Sequence, residues 1–481
     1  MTFVDASAQA EAVRSGGVSP KELVEEIILK IEELNPKLNA VVSKRYERAL
    51  KEAEDRDFSD KPFAGVPILL KDLGQEQAGE PSTSGSRLFK NYQAKESSNY
   101  TKALEDLGFI VLGRTNTPEF GFKNISDSSL HGLVNLPDDT SRNAGGSSGG
   151  AAASLASNMV SIAPASDGGG SIRIPASFNG LIGLKPTRGR IPVGPSSFRG
   201  WQGASVNFAL TKSVRDTKNL LYHFQISQLE SPFPLPILSR NDIFSDLKGP
   251  LRIAVLTKSP IGSSVSDEAK QATKDAALFL QQEGHQVEEL TNYPFDGIEA
   301  MQSYYVMNSV ETAAMFDSIE ASLGRQMTAD DMELMTWAIY KSGQTILAKD
   351  YSRIISQWDT YSHVMAEFHK QYDLILTPTA AGVAPKHGQF NLSQSLKNDL
   401  FHMADFGQEK QQELIWDMFS ESLALTPFTQ QANLTGQPSI SLPTHRREDG
   451  LAIGIQLTAA KGREDLLLQV AQLFENQGKF M

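Results

Sequence analysis

Cysteine is absent from all 481 residues. That excludes a disulfide framework, a thiolate nucleophile and cysteine-ligated zinc. Histidine is scarce, at eight residues, and no His, Asp and Glu group has metal-ligand spacing, so neither a metal nor a cofactor is expected. Positive charge is in deficit. The net charge of −12 does not suit a broad non-specific nucleic-acid surface, which needs surplus Lys and Arg. Long apolar runs are missing too. The longest uncharged stretch, residues 143–166, is mostly Gly, Ser and Ala and lacks the side chains a membrane span requires. The opening MTFVDASAQAEAVRSGG carries acids and no apolar core, so no secretory signal is expected and the expected location is cytoplasmic.

What is present is a soluble globular composition, 40% apolar and 21% charged, in a chain long enough for one large domain or two to three smaller ones. Ser19-Pro20-Lys21-Glu22 is a capping box with Pro at the first helical position. Leu23, Ile27, Ile28, Ile31 and Leu34 follow at helical spacing, and Asn35-Pro36 is expected to end that helix, whose Glu-rich face should lie in water. Val66-Pro67-Ile68-Leu69-Leu70 reads as a buried strand delivering Lys71-Asp72 at its end. A helix over 98–107 then leads to a strand at 109–112. Further strands are expected at 161–163, 181–184, 252–256, 374–376, 439–442 and 452–457, with 266–371 largely helical and a long helix ending at Gly284. Strand–helix alternation points to an α/β fold, a central mixed β-sheet covered by α-helices. Core-like strands occur both before 190 and after 435, so a single domain over 1–481 is expected. Its parts are an N-terminal helical region (1–60), a core (61–235 and 425–481) and a variable helical insertion (236–424).

The chemistry concentrates in residues 143–190, NAGGSSGGAAASLASNMVSIAPASDGGGSIRIPASFNGLIGLKPTRGR. Two glycine-serine clusters occur, at 145–150 and 168–171. Three glycines running into a serine suggest a turn of backbone N–H groups that could cradle an oxyanion and present the serine beside it. A flexible linker would lack the interleaved apolar runs. A phosphate loop would need Gly-Lys-Ser/Thr or G-x-G-x-x-G after a strand, and neither occurs. Gly145-Gly146-Ser147-Ser148-Gly149 matches the G-x-S-x-G elbow of an α/β-hydrolase esterase using Ser147. That motif demands a buried strand ahead of the serine, whereas Pro137-Asp138-Asp139-Thr140-Ser141-Arg142-Asn143 stands there. It also demands a late histidine, and His387 and His445 both read as polar loop residues.

These clusters, with Lys71 upstream, resemble the signature of the amidase-signature family: Gly-Gly-Ser-Ser-Gly-Gly, then Asp-x-Gly-Gly-Ser-Ile-Arg-x-Pro-Ala, then Gly-Leu-Lys-Pro-Thr-x-Gly-Arg. Ser147 and Ser171 have the family's spacing. Gly65-Val66-Pro67, the run from Gly113 to Gly121, Leu434-Thr435-Gly436-Gln437-Pro438-Ser439 and Gly454-Ile455-Gln456 match as well, so the resemblance covers most of the chain outside about 236–424. It implies a nucleophile at Ser171, a bridging Ser147 on a cis peptide, and a base at Lys71. It also implies an oxyanion hole of Gly168, Gly169, Gly170 and Ser171 N–H groups, with Asp167 and Arg173 supporting the turn. The residues suit those roles: a serine hydroxyl needs a base, and a lysine serves as one when burial lowers its pKa. Most of the family has threonine where this chain has Gly168. The Asp-Gly-Gly-Gly-Ser variant resembles the branch that includes 6-aminohexanoate-cyclic-dimer hydrolase. Substrate inferences from threonine-bearing members, including the A subunit of a tRNA-dependent amidotransferase, do not transfer.

The resemblance implies an amidohydrolase for a small-molecule amide, with no nucleic-acid or membrane partner; a homodimer is compatible with it. The amidotransferase A subunit is the alternative. Ser148 and Trp201 are candidate substrate contacts. Asn116 and Phe120 are expected to fix a loop near the site and His131 to be a solvated loop residue; Tyr304, Tyr305, Asn308 and Trp337 lie on the variable helices, where core packing is the first expectation and substrate contact the alternative.

Overall fold

The computed structural model describes residues 3–481. Three strands near the N-terminus, β1 (Val41–Lys44), β2 (Pro67–Lys71) and β3 (Ile110–Thr115), form a small sheet in the order β1-β3-β2, with β2 and β3 parallel. A short ribbon follows, β4 (Asp127–Ser128) against β5 (Gly132–Leu133). The remaining strands are β6 (Ala163–Asp167), β7 (Ile182–Lys185), β8 (Val206–Thr211), β9 (Arg252–Val255), β10 (Gln286–Glu289), β11 (Leu374–Pro378), β12 (Ser439–Arg446) and β13 (Ala452–Ala459). They build one eight-stranded sheet in the order β10-β9-β11-β13-β12-β7-β8-β6. It is mixed: β10, β9 and β11 run parallel and the other pairs antiparallel. Helices cover it, and the chain is a single α/β domain.

Burial explains the strand sequences. Every residue of β2, β3, β7, β11 and β13 is buried, and strands covered on both faces read as near-continuous apolar runs. The edge strand β10, Gln-Val-Glu-Glu, has three exposed residues of four, so nothing in its composition announces it. β1 and β8 were also not expected. The strand expected at 161–163 lies further on, because pairing with β8 runs from Ala163↔Leu210 to Asp167↔Val206. The segment 236–424 supplies β9, β10 and β11 besides its α-helices, Arg240–Phe244, Asp267–Gln282, Gly297–Leu323, Leu334–Gly343, Ala348–Phe368, Gln394–Phe401 and Gln408–Leu425.

The capping box forms: Glu22 N–H donates to Ser19 Oγ at 3.2 Å and Ser19 N–H to Glu22 Oε2 at 2.8 Å. The helix then passes through Asn35-Pro36 and ends at Leu38. Its stop is Asn39, left-handed at φ 52°, whose side chain donates to the His131 and Leu133 carbonyls at 2.7 and 2.9 Å. Asn is among the few side chains that accept that conformation readily.

Among the described residues no helix is long and apolar enough to cross a membrane, and no group of His, Asp and Glu could hold a metal ion.

Candidate active site

Strand β2 carries Lys71 into the interior, where it is 0% exposed. Its backbone is fixed on both sides: Lys71 N–H donates to Gln75 Oε1 at 2.7 Å, and its carbonyl accepts from Arg114 Nη1 at 3.1 Å. The side chain ends between two hydroxyls, with Nζ 2.7 Å from Ser147 Oγ and 2.9 Å from Ser166 Oγ. Among the described residues no carboxylate pairs with this amine. Burial pushes Lys71 down to about 7, against the weaker opposing pull of the Asp167 carboxylate. A neutral amine is therefore accessible near neutral pH. Lys185 is also pushed down to about 7, by burial first and then by Arg173, but its Nζ donates to the Pro186 carbonyl at 2.8 Å and does not reach the serines.

Ser147 follows a cis peptide with Gly146, as the family resemblance implied. Asn143 and Ser126 hold the segment. Asn143 Oδ1 accepts from the Ser126 and Gly145 N–H groups at 2.9 and 3.0 Å, and Ser126 Oγ donates to the Gly145 carbonyl at 2.9 Å. A Cβ at Gly146 would lie 2.7 Å from the Ile125 backbone, so only glycine permits this approach. No strand precedes Ser147. His387 bonds Asn135 at 2.9 Å, and His445, expected in a loop, lies on β12 opposite Ile453. The elbow arrangement is thus absent.

The second cluster is built on Asp167 at the end of β6. Asp167 and Arg173 are both 0% exposed and form a two-pronged pair, Nε to Oδ2 and Nη2 to Oδ1, each 3.0 Å. Asp167 also accepts from Gly170 N–H at 2.7 Å, Ile172 N–H at 3.2 Å and Asn433 Nδ2 at 2.8 Å. Burial raises its carboxyl, but Arg173, Lys185 and Asn433 together outweigh burial and hold it at about 2. Arg173 in turn donates to Gln456 Oε1 at 2.8 Å and Asn433 Oδ1 at 2.7 Å. This frame sets the 168–171 turn. Gly170 sits at φ +128°, where a Cβ would strike Thr429 Oγ1 at 2.3 Å. Thr429 donates to the Gly169 carbonyl at 2.7 Å and Tyr304 to the Gly168 carbonyl at 3.1 Å. With their carbonyls tied back, the N–H groups of Gly168, Gly169 and Ser171 have no acceptor among the described residues. The Gly170 N–H, expected in the oxyanion hole, is instead directed onto Asp167 because the turn folds it toward the buried carboxylate.

Ser147, Ser166, Gly168, Gly169 and Ser171 open on one cavity of about 1150 Å³. One of its walls is the helix Gly297–Leu323, and Leu88, Phe122, Trp201, Met301, Tyr305 and Phe419 give it an apolar lining. Trp201 is therefore on the cavity, as expected of a substrate contact. Ser148 is not: it is 0% exposed, off the cavity, and its hydroxyl donates to the Ser166 carbonyl at 3.2 Å. Tyr304, Tyr305 and Asn308, read as core residues or substrate contacts, are buried and also border the cavity. Trp337 packs as expected, its indole N–H on the Phe401 carbonyl at 3.1 Å. Asn116 is buried and bonds the Asn39 and Gly132 carbonyls at 3.1 and 3.2 Å, and Phe120, also buried, lines the cavity. His131 is partly buried, its Nε2 2.9 Å from Thr83 Oγ1, rather than solvated.

Sequence reasoning missed Ser166, Thr429, Asn433 and Gln456 as contributors. Gln456 and Asn433 stand in or beside motif runs, which was the available signal. Ser166 directly precedes Asp167 but carries no pattern of its own.

A family model described as Amidase matches residues 22–468. A lipoamidase of Enterococcus faecalis is 38% identical over 470 residues, 98% of this chain; the chain spans 63% of that relative's length. A 6-aminohexanoate-cyclic-dimer hydrolase of Paenarthrobacter ureafaciens is 35% identical, covering 98% of this chain and 94% of the relative. The solved structure of a 6-aminohexanoate cyclic dimer hydrolase complexed with substrate superposes with a TM-score of 0.88 at 34% identity, over 98% of this chain and 96% of that one.

Proposed function

This chain belongs to the amidase family, and within that family we propose that it hydrolyses a carboxylic amide through an acyl-enzyme on Ser171, activated by a Ser147–Lys71 relay. The observation that carries this reading is the buried amine of Lys71, pushed down to about 7 and 2.7 Å from the Oγ of Ser147, a serine that shares its cavity with Ser171.

Neutral Lys71 takes the proton of Ser147, which takes that of Ser171, and Ser171 Oγ attacks the amide carbonyl carbon. The carbonyl oxygen becomes an oxyanion facing the N–H groups of Gly168, Gly169 and Ser171. The proton returns through Ser147 to the departing nitrogen, the C–N bond breaks, and an amine or ammonia leaves. Water, losing a proton to the same relay, then releases the acid. Ser166 keeps Lys71 Nζ in place with a second hydroxyl, and Trp201 forms a wall for the substrate. On this reading the signature-bearing parts, 61–235 and 425–481, supply the chemistry, and the helix Gly297–Leu323 within 236–424 supplies one wall of the cavity.

The A-subunit alternative is not favoured. The relatives above bear the names of a lipoamidase and a hydrolase, and Gly168 replaces the threonine of that branch. An esterase elbow at Ser147 lacks both strand and histidine.

The deciding experiment is a panel of primary amides, anilides, peptide amides, lipoyl amides and 6-aminohexanoate oligomers, with fluorophosphonate labelling alongside. Hydrolysis of one class and a label on Ser171 are expected; a label elsewhere, or none, sinks the reading. The pH profile gives an independent check. Below about 7 the Lys71 amine carries a proton and cannot accept another, so kcat/KM should rise about tenfold per pH unit there and level off above. A profile flat from pH 5 upward would remove Lys71 as the base.

A further inference from the structure

Trp201 is held in an unusual way. It lies in the short turn Gly200–Gly203 with φ 50° and ψ 51°, and Gln202 beside it has φ 52°. Two successive left-handed residues, neither glycine, are costly and persist only where the surroundings over-determine them. They do so here. Gly203 N–H donates to the Arg199 carbonyl at 3.3 Å and Ala204 N–H to the Trp201 carbonyl at 2.9 Å. Arg188 Nε donates to the Gly203 carbonyl at 2.8 Å, and Gln202 Nε2 reaches Glu311 Oε1 on the long helix at 2.8 Å.

The result is a fixed aromatic slab. The indole lies parallel to Phe122, with centroids 6.0 Å apart at 4°, and edge-on to Tyr304 at 6.0 Å and 81°. Its other contact is Gly168. A Cβ at that position would lie 2.8 Å from both Cε3 and Cζ3 of the indole, closer than any side chain tolerates. The ring therefore occupies the space a side chain at 168 would fill, directly against the turn that presents its N–H groups beside Ser171.

We propose that Gly168 and Trp201 form a coupled specificity pair that selects amides with an unbranched acyl chain. This rests on the amidase reading above. An amide nitrogen is planar and keeps its substituents in the carbonyl plane. A straight acyl chain can keep its first carbons in that plane, whereas a branch on the carbon next to the carbonyl must push an atom out of it, and beside this turn the indole already fills the room. Gly168 admits the ring; the ring narrows the cavity.

The test uses the best amide from the panel and its isomer carrying a methyl branch on the carbon next to the scissile carbonyl, with the same amine. One methyl group in a shaped pocket is worth on the order of 10- to 100-fold, so the wild-type chain should prefer the straight isomer by about that ratio in kcat/KM. Trp201→Ala should bring the ratio to within a few-fold, while Trp201→Phe keeps most of it. Gly168→Ala should lower kcat/KM by about tenfold or more in the wild-type background and far less in the Trp201→Ala background, since neighbours in contact are non-additive. Thermal melts of the four variants beside the wild type verify folding. A wild-type enzyme indifferent to the branch, a Trp201→Ala variant that keeps the ratio, or an equal Gly168→Ala cost in both backgrounds overturns the pair while leaving the amidase intact. A chain that hydrolyses no amide overturns the amidase reading itself, and the pair with it.

Discussion

Lys71→Ala and Ser171→Ala are each expected to lower kcat/KM by roughly ten-thousandfold, and the double variant should be no worse than either single one. Groups that act as one relay show this non-additivity, and it separates a shared mechanism from two independent defects. Both variants should remain folded. Ser171 loses one hydroxyl from a partly exposed turn. Lys71 is a buried amine whose charge is already disfavoured. Its folded pKa lies below the unfolded one, so the unfolded chain binds the extra proton between about pH 7 and the ordinary lysine range near 10.5. The stability cost of Lys71 is therefore full below about 7 and fades as pH rises. Removing the amine relieves that cost at neutral pH and below, against the loss of its bonds to Ser147 and Ser166. Steady-state kinetics on the best panel amide and melting by circular dichroism check both halves. A Lys71→Ala enzyme within tenfold of wild type would leave the relay without a base.

Arg173→Met should be the more damaging change to the fold. It strips a fully buried carboxylate of its two-pronged partner, and breaking such a pair from one side costs about 3–5 kcal/mol. The sign with pH is specific. Without Arg173, burial dominates and the Asp167 pKa rises above its unfolded value, so the defect should be large at pH 7 and shrink as pH falls and the carboxyl protonates. Denaturant melts at pH 7 and pH 5 read this directly. Asp167→Asn added to Arg173→Met should recover part of the loss at pH 7, because it removes the orphaned charge. A variant equally destabilised at both pH values would mean that packing around the guanidinium, not charge, supports the turn.

How much of this was legible in the sequence follows from the range over which each signal acts. The buried strands announced themselves because continuous apolar composition is local. β10 did not, since an exposed edge strand has no composition to distinguish it. Asn35-Pro36 looked like a stop, but proline costs one hydrogen bond in a last turn, and the left-handed Asn39 beyond it fixed the true end. Lys71, Ser147 and Ser171 were singled out through the spacing of two glycine-serine clusters; Lys71 lies against Ser147, and Ser147 and Ser171 line the same cavity. The residues that hold them there were not found. Tyr304 reaches Gly168 across 136 positions of sequence and Asn433 reaches Asp167 across 266. A lone Tyr or Asn carries no mark of such a partner. Ser148 shows the reverse error: it shares a motif with Ser147, but the helix that starts there turns its side chain into the protein.

The β12–β13 hairpin, residues 439–459, lies between β11 and β7, at the middle of the large sheet. Synthesis thus delivers both flanks of the sheet before its centre. Until the hairpin arrives, β7 and β11 each offer an open backbone edge, the kind of surface on which nascent chains stick to one another. Gln456, which steadies Arg173, comes on the same hairpin. A ribosome-bound chain short of it would hold every proposed reacting side chain and still lack a finished turn to work with, so competence should appear abruptly once the hairpin has emerged, rather than by degrees.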